Sequence, residues 1–254
     1  MKAVKFSSII IVLGIFLIAN PIAHGKVLWS DKFDDGKLDA KYLFQNNPGK
    51  WVETGGVVSQ TDPAPKDHCY LVIQGGFAEP HTAIVKVRID VWEDHDLSRT
   101  GIGVRLDKAD GAGYAFLIHN TLDNVEFLND HLAWKNNDTK PPFGKLTIGK
   151  WYWMKAQISS SAYNGKIWAD GDNEPATWLI TSALDFGAVR PASGNVGLNG
   201  GSNTAGSGKI GVSFDNFAVC ETADECTPKL FTDLTPVESA GKLSTTWGSV
   251  KSSY

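Results

Sequence analysis

Cysteine is scarce in this chain, basic residues never cluster, and no segment carries a helical stripe of useful length. The cysteines number three, Cys69, Cys220 and Cys226. None stands in a CxxC spacing or beside a histidine pair, which argues against a zinc site. His68 and Cys69 are adjacent, and adjacent strand residues face opposite ways, so they make a poor nucleophile–base pair. Lys and Arg total 24 against 28 Asp and Glu, for a net charge of −4. No basic run is present to neutralise a row of phosphates, which excludes nucleic acid as the expected partner. Serine triads and phosphate loops are missing as motifs. Gly101-Ile102-Gly103 opens no helix and is no dinucleotide fingerprint. Internal repeats are absent.

Long apolar runs are absent too, with one short exception. Residues 9–19 fall well short of the roughly 20 residues a membrane span needs. Lys2 and Lys5 precede them and Ala23-His24-Gly25 follows, the pattern of an export signal cleaved after Gly25. The mature protein is therefore expected to be soluble, without a membrane span, in a secreted, periplasmic or extracellular setting. That setting is oxidising, so bridged cysteines are expected. Cys220 and Cys226 flank a short acidic loop and could close it. Pairing of Cys69 with either of them stays open at this level.

Strand signals are abundant. With 254 residues, 42% hydrophobic and 20% charged, the chain suits one large all-β domain. Residues 84–92 alternate cleanly: Val85, Val87, Ile89 and Val91 against Lys86, Arg88 and Asp90. Residues 151–158 do the same, with Tyr152, Met154, Ala156 and Ile158 opposite Trp151, Trp153, Lys155 and Gln157. Further short strands are expected at 27–33, 51–53, 57–60, 70–73, 102–106, 114–119, 125–128, 166–169, 178–181, 196–198 and 212–219. Turn-rich segments separate them, as in a sandwich or barrel. The domain is placed at 26–228, and 229–254 reads as a polar tail.

Two stretches resemble a known superfamily. GKWYWMKAQISSSAYNGKIWADGDNEPATW (149–178) is similar to a strand pair of concanavalin A-like lectin and glucanase domains. GNVGLNGG with VSFDNFAVC (194–220) resembles their closing strands, and LFQNNPGKWVETGGVVSQ their opening. The resemblance covers about 27–220 and implies a jelly-roll β-sandwich of two antiparallel sheets, with the first and last strands paired. Its members include lectins, laminin G-like modules, endoglucanases and 3-keto-disaccharide hydrolase-type domains, so fold alone does not choose a function.

Glycan binding is the leading expectation. Nine Trp offer apolar rings on which sugar faces can stack. Trp134, Trp153 and Trp178 are the candidates, with Trp153 on a face expected to be wet. Arg105, Tyr114, His119 and Glu126 fall on successive strands and could line a concave sheet. Glucanases of the superfamily place three carboxylates at alternating positions of one strand. Here Glu126, Leu128 and Asp130 lack the middle one, and Glu126 and Asp130 would lie about 13–14 Å apart along a strand. That spacing fits neither glycosidase geometry unless another strand supplies a partner. The resemblance also implies a structural calcium, with Asp215 as ligand and Asp34 in support. Glu93-Asp94-His95-Asp96 reads as an exposed loop. The expected function is an exported carbohydrate-binding or adhesion module acting on a polysaccharide or glycan. The alternatives are a hydrolase or lyase of the 3-keto-disaccharide type and a laminin G-like protein-binding module.

Overall fold

The computed structural model describes residues 26–45, 49–62, 69–95, 98–106, 113–129, 135–183, 193–201 and 209–232. The export segment, Trp134, Asp130 and residues 233–254 lie outside them. Nearly all of the regular structure is strand. In chain order the strands are β1 (Val27–Asp31), β2 (Tyr42–Gln45), β3 (Trp51–Thr54), β4 (Val57–Gln60), β5 (Tyr70–Ala78), β6 (His81–Trp92), β7 (Arg99–Leu106) and β8 (Tyr114–His119). β9 (Val125–Asn129), β10 (Lys135–Thr139), β11 (Trp151–Ile158), β12 (Ala162–Ala169), β13 (Ile180–Ala183), β14 (Ser193–Asn199) and β15 (Ile210–Cys220) follow. One helical turn, Lys229–Thr232, comes after them.

Two antiparallel sheets form a β-sandwich. Sheet A runs β13-β12-β11-β6-β15-β4-β3, with β1 also on β15, and sheet B runs β10-β9-β8-β7-β14-β5-β2. The first and last strands pair as expected, with Trp29 opposite Val219. A register shift between Asp215 and Ala218 breaks β15 at its middle. Before it, β15 pairs β4 and beyond it β1. Asn216, at φ 53, supplies the left-handed residue the bulge uses.

Alternation sends one side of each strand into the shared core. Val85, Val87 and Ile89 of β6 and Tyr152, Met154, Ala156 and Ile158 of β11 are buried there. Val91 continues the pattern in sequence but is 50% exposed, because a register shift opposite Gly211 and Val212 breaks the alternation and Trp92 packs on the core instead. Sheet B answers with an aromatic stack: Phe127 lies 4.3 Å from Tyr163 at 19°, and Phe116 lies 5.8 Å from Phe127. The Phe116 ring sits against bare backbone of β12, since a Cβ on Gly165 would stand 2.4 Å from its Cδ2.

The outer face of sheet A differs from the expected wet surface. Trp153 is 5% exposed and Lys155 2%. The segment after β15 folds back over them. Cys220 and Cys226 are joined by a disulfide, Phe231 stacks on Trp153 at 5.9 Å and Leu230 packs on the same cluster. Lys155 Nζ donates to Ala223 O at 2.6 Å and to Glu174 at 2.7 Å. Trp168 stacks on Trp153 from β12, so it belongs to this outer cluster and not between the sheets. Cys69 stays outside the disulfide. Its burial pushes the thiol up to about 12, which removes it as a nucleophile.

Candidate functional site

A line of ionisable side chains crosses the outer face of sheet B. Core-facing Tyr114, Phe116 and Ile118 alternate with Ala115, Leu117 and His119 on β8, which puts His119 outward. On β9, Val125 and Phe127 point inward and Glu126 and Leu128 outward. The registers then align the line. Arg99 of β7 stands opposite His119, Leu117 opposite Glu126, and Glu126 opposite Asp138 of β10.

His119 Nδ1 and Glu126 Oε1 are 2.7 Å apart. With that nitrogen turned to the carboxylate, Nε2 is the one left for another group, and it is buried without a protein partner. Glu126 is fully buried and Arg99 3% exposed, whereas Asp138 is exposed. Partial desolvation, together with the Glu126 carboxyl at hydrogen-bonding reach, pushes the Asp138 carboxyl above its ordinary value, and His119 opposes the shift. The nearby Glu126 carboxyl thus favours the protonated form of Asp138. Leu117 and Leu128 form an apolar bed beside the line. The arrangement can donate and accept hydrogen bonds at once, and it can hold or release a proton.

Of the glycan-site candidates among the described residues, the structure brings His119 and Glu126 together. Tyr114 points into the sandwich and packs 5.8 Å from Tyr163. Arg105 is buried and ion-paired with Glu79. Both stand at the other end of β7 and β8, five or six residues from the Arg99–His119 pair, so roughly 16 Å away at 3.3 Å per residue. They are not part of the line. Trp153 is no open platform: Trp168 and Phe231 flank it, and its Nε1 donates to Asp170 at 2.8 Å. Trp178 is half-buried, with Lys166 Nζ 4.7 Å from its ring. Trp134 lies outside the described residues.

Arg99 and Asp138 went unnoticed in the sequence. Asp138 sits in Lys-Asn-Asn-Asp-Thr, which has no apolar alternation. Only its pairing with β9 makes it a strand. That pairing supplies the carboxyl partner from another strand which Glu126 lacks on its own.

Asp34 and Asp215, the expected calcium ligands, stand in different surroundings. Asp34 is exposed. Asp215 accepts from Asn216 Nδ2 at 2.9 Å, and burial pushes its carboxyl up while the charge of Lys86 opposes this. Calcium takes six to eight oxygens, and among the described residues no three His, Cys, Asp or Glu side chains gather as a metal group. Glu93 and Asp94 are committed to the loop itself, Glu93 accepting from Lys209 N at 3.1 Å and Asp94 pairing Lys145 at 3.1 Å.

No protein-family model and no characterised protein sequence matches the chain. Solved structures do. A GH43 protein of Bacillus licheniformis superposes with a TM-score of 0.53 at 17% identity, over 75% of this chain and 38% of that one. The carbohydrate-binding module CBM66 of Bacillus subtilis gives 0.51 at 14%, over 70% and 94%. A cellulose-induced protein, Cip1, gives 0.53 at 11%, over 76% and 97%. The chain thus spans well under half of the GH43 protein but nearly all of the other two. At these identities the likeness is one of fold, a β-sandwich.

Proposed function

We propose that the chain is an exported, concanavalin-like carbohydrate-binding domain, with its glycan site on the outer face of sheet B. The row Arg99–His119–Glu126–Asp138 carries this reading. Its exposed Asp138 and half-buried His119 present donor and acceptor atoms of the kind sugar hydroxyls need, with Glu126 and Arg99 buried behind them. Two structures of like fold, nearly all of whose length this chain matches, are a carbohydrate-binding module and a cellulose-induced protein, which supports the glycan class. The test is a glycan panel with calorimetry on the mature chain. Glu126→Gln and Asp138→Asn should each weaken the best ligand about tenfold or more, since hydrogen bonds to charged groups contribute roughly 1.5–3 kcal/mol. Unchanged affinity in both would remove the site from this face.

A second reading, an enzyme acting on glycans, rests on the contact of Glu126 with both Asp138 and His119. Two neighbouring carboxyls, one of them raised, beside an imidazole are the equipment of general acid–base catalysis. Release of new sugar ends from a bound glycan, abolished in Glu126→Gln, would establish it over simple binding.

A further inference from the structure

A cleft of about 630 Å³ opens between the edge strand β1 and the end of β5. β14, β7 and β8 separate β5 from β9, so the cleft shares no residue with the line on sheet B. Leu28, Ile73 and Phe77 give it an apolar lining, Trp29 adds an indole, and Lys41 and Glu221 stand at its polar side.

Two strand edges frame the space. Among the described residues β1 pairs only β15. β2 stops at Tyr42, opposite Ile73, so residues 75–78 keep β14 as their one partner strand. An open edge can recruit an extended peptide, but this one is built against it. The register with β14 shifts between Gly194 and Val196, and Gly76 is left-handed at φ 54. A Cβ on Gly75 would stand 2.2 Å from Phe77 Cζ, so the Phe77 ring folds back over bare backbone. A bulged stretch of four residues cannot extend a regular ladder.

Charge selects the ligand further. Glu79 at the rim is paired with Arg105. Glu221 accepts from Lys26 N at 3.2 Å, and Lys41 Nζ lies 4.8 Å from the Trp29 ring centre. Two cations face two carboxylates, which leaves no net field to attract an ion of either sign. The fitting ligand is neutral, apolar on one side and rich in hydroxyls on the other. The volume lies within the roughly 300–1,000 Å³ of small-ligand sites.

We propose that this cleft is a second carbohydrate subsite, taking the end of a neutral oligosaccharide. It rests on the glycan reading above and adds a separate point of attachment. Two weak subsites on one domain would reinforce each other on a polymeric glycan.

The experiment is an amide NMR titration of the mature chain with neutral hexose and pentose oligosaccharides. Saturable shifts are expected at Gly75, Gly76 and Phe77. Glu221→Ala and Gln74→Ala, both exposed rim positions, should each weaken that binding about fivefold, the worth of one hydrogen bond. Neither should alter affinity at the Glu126 region. Shifts at Gly75–Phe77 without any near His119 would uphold this subsite and sink the sheet B site. Shifts near His119 alone would overturn the subsite and leave the sheet B reading intact. Cleft shifts indifferent to both variants would also overturn it, and silence at both places would end both readings.

Discussion

His81 should make the fold lose stability in mild acid, by an amount the structure sets. Its side chain is fully buried at the start of β6. Nδ1 meets Ala78 O at 3.1 Å, the Phe77 ring lies 6.1 Å away, and Nε2 has no protein partner. Burial penalises the imidazolium and lowers the pKa from 6.5 to about 4, against the raising effect of the Ala78 carbonyl. The unfolded chain therefore binds a proton on His81 more readily than the folded one. The stabilising difference is complete above the ordinary value near 6.5 and drains away as pH falls towards about 4. At about 1.4 kcal/mol per pH decade, the loss approaches roughly 3 kcal/mol. For a domain of this size that is a fall of about 6–12 °C in Tm. Asp31, Glu53 and Asp215 are held above their ordinary values, chiefly by burial, and they act in the opposite sense as pH falls. The measurement is accordingly a difference: urea denaturation from about pH 7 to pH 4 for the natural chain and for His81→Asn. The variant keeps a donor near the Ala78 carbonyl but cannot titrate. Its stability should decline less steeply by about 3 kcal/mol across that window. Parallel curves would refute the argument that His81 is buried and neutral.

The Cys220–Cys226 disulfide closes a loop with a sequence separation of 6. Chain entropy gives about 2 kcal/mol for a loop that short, so reduction should lower Tm by about 4–8 °C. Red-shifted tryptophan emission should accompany it as Phe231 leaves Trp153, and an unchanged melt would contradict the pinning role. Gly165→Ala places a Cβ 2.4 Å from the Phe116 ring, which Phe127 holds from another side. Overpacking of that kind costs about 1–3 kcal/mol, and chemical denaturation should read it. Glu126→Gln removes the carboxyl beside Asp138, so the Asp138 titration, followed by carbon NMR, should move down towards its ordinary value. A static Asp138 would mean that Glu126 does not act on it.

The sandwich was legible because the period-two pattern is strong where one face meets the core. Val85, Val87 and Ile89 or Tyr152, Met154 and Ala156 announce a strand without help. β10 was not legible, since Lys-Asn-Asn-Asp-Thr shows no apolar alternation and the strand is defined by its pairing with β9. The candidate site suffered from the same blindness. His119 and Glu126 were picked out from neighbouring strands, but Arg105 and Tyr114 were grouped with them by strand order alone. Facing and distance along the strand separate them: Tyr114 is on the inward side and both are roughly five residues away. Trp153 shows a different limit. Its own strand pattern marks it outward correctly, and nothing in that pattern reveals that residues 220–231 cover it.

The two outer faces of the sandwich therefore differ in chemistry. On sheet A, the disulfide-closed segment and Phe231 cover the tryptophans, while Lys155 is satisfied by Glu174 and Ala223. Its aromatic content contributes to stability, and the tryptophan count gives little guidance to ligand binding. On sheet B, the outward side chains include ionisable groups that contact one another, graded from buried Glu126 to exposed Asp138. Burying a carboxyl beside a second one opposes folding unless a proton or a donor compensates. A face that needed only to stay soluble would carry neither. The edge cleft differs again from sheet A: its Gly75-Gly76 backbone lies beside an indole and a phenyl ring, and the Phe77 ring occupies the place a Cβ on Gly75 would need.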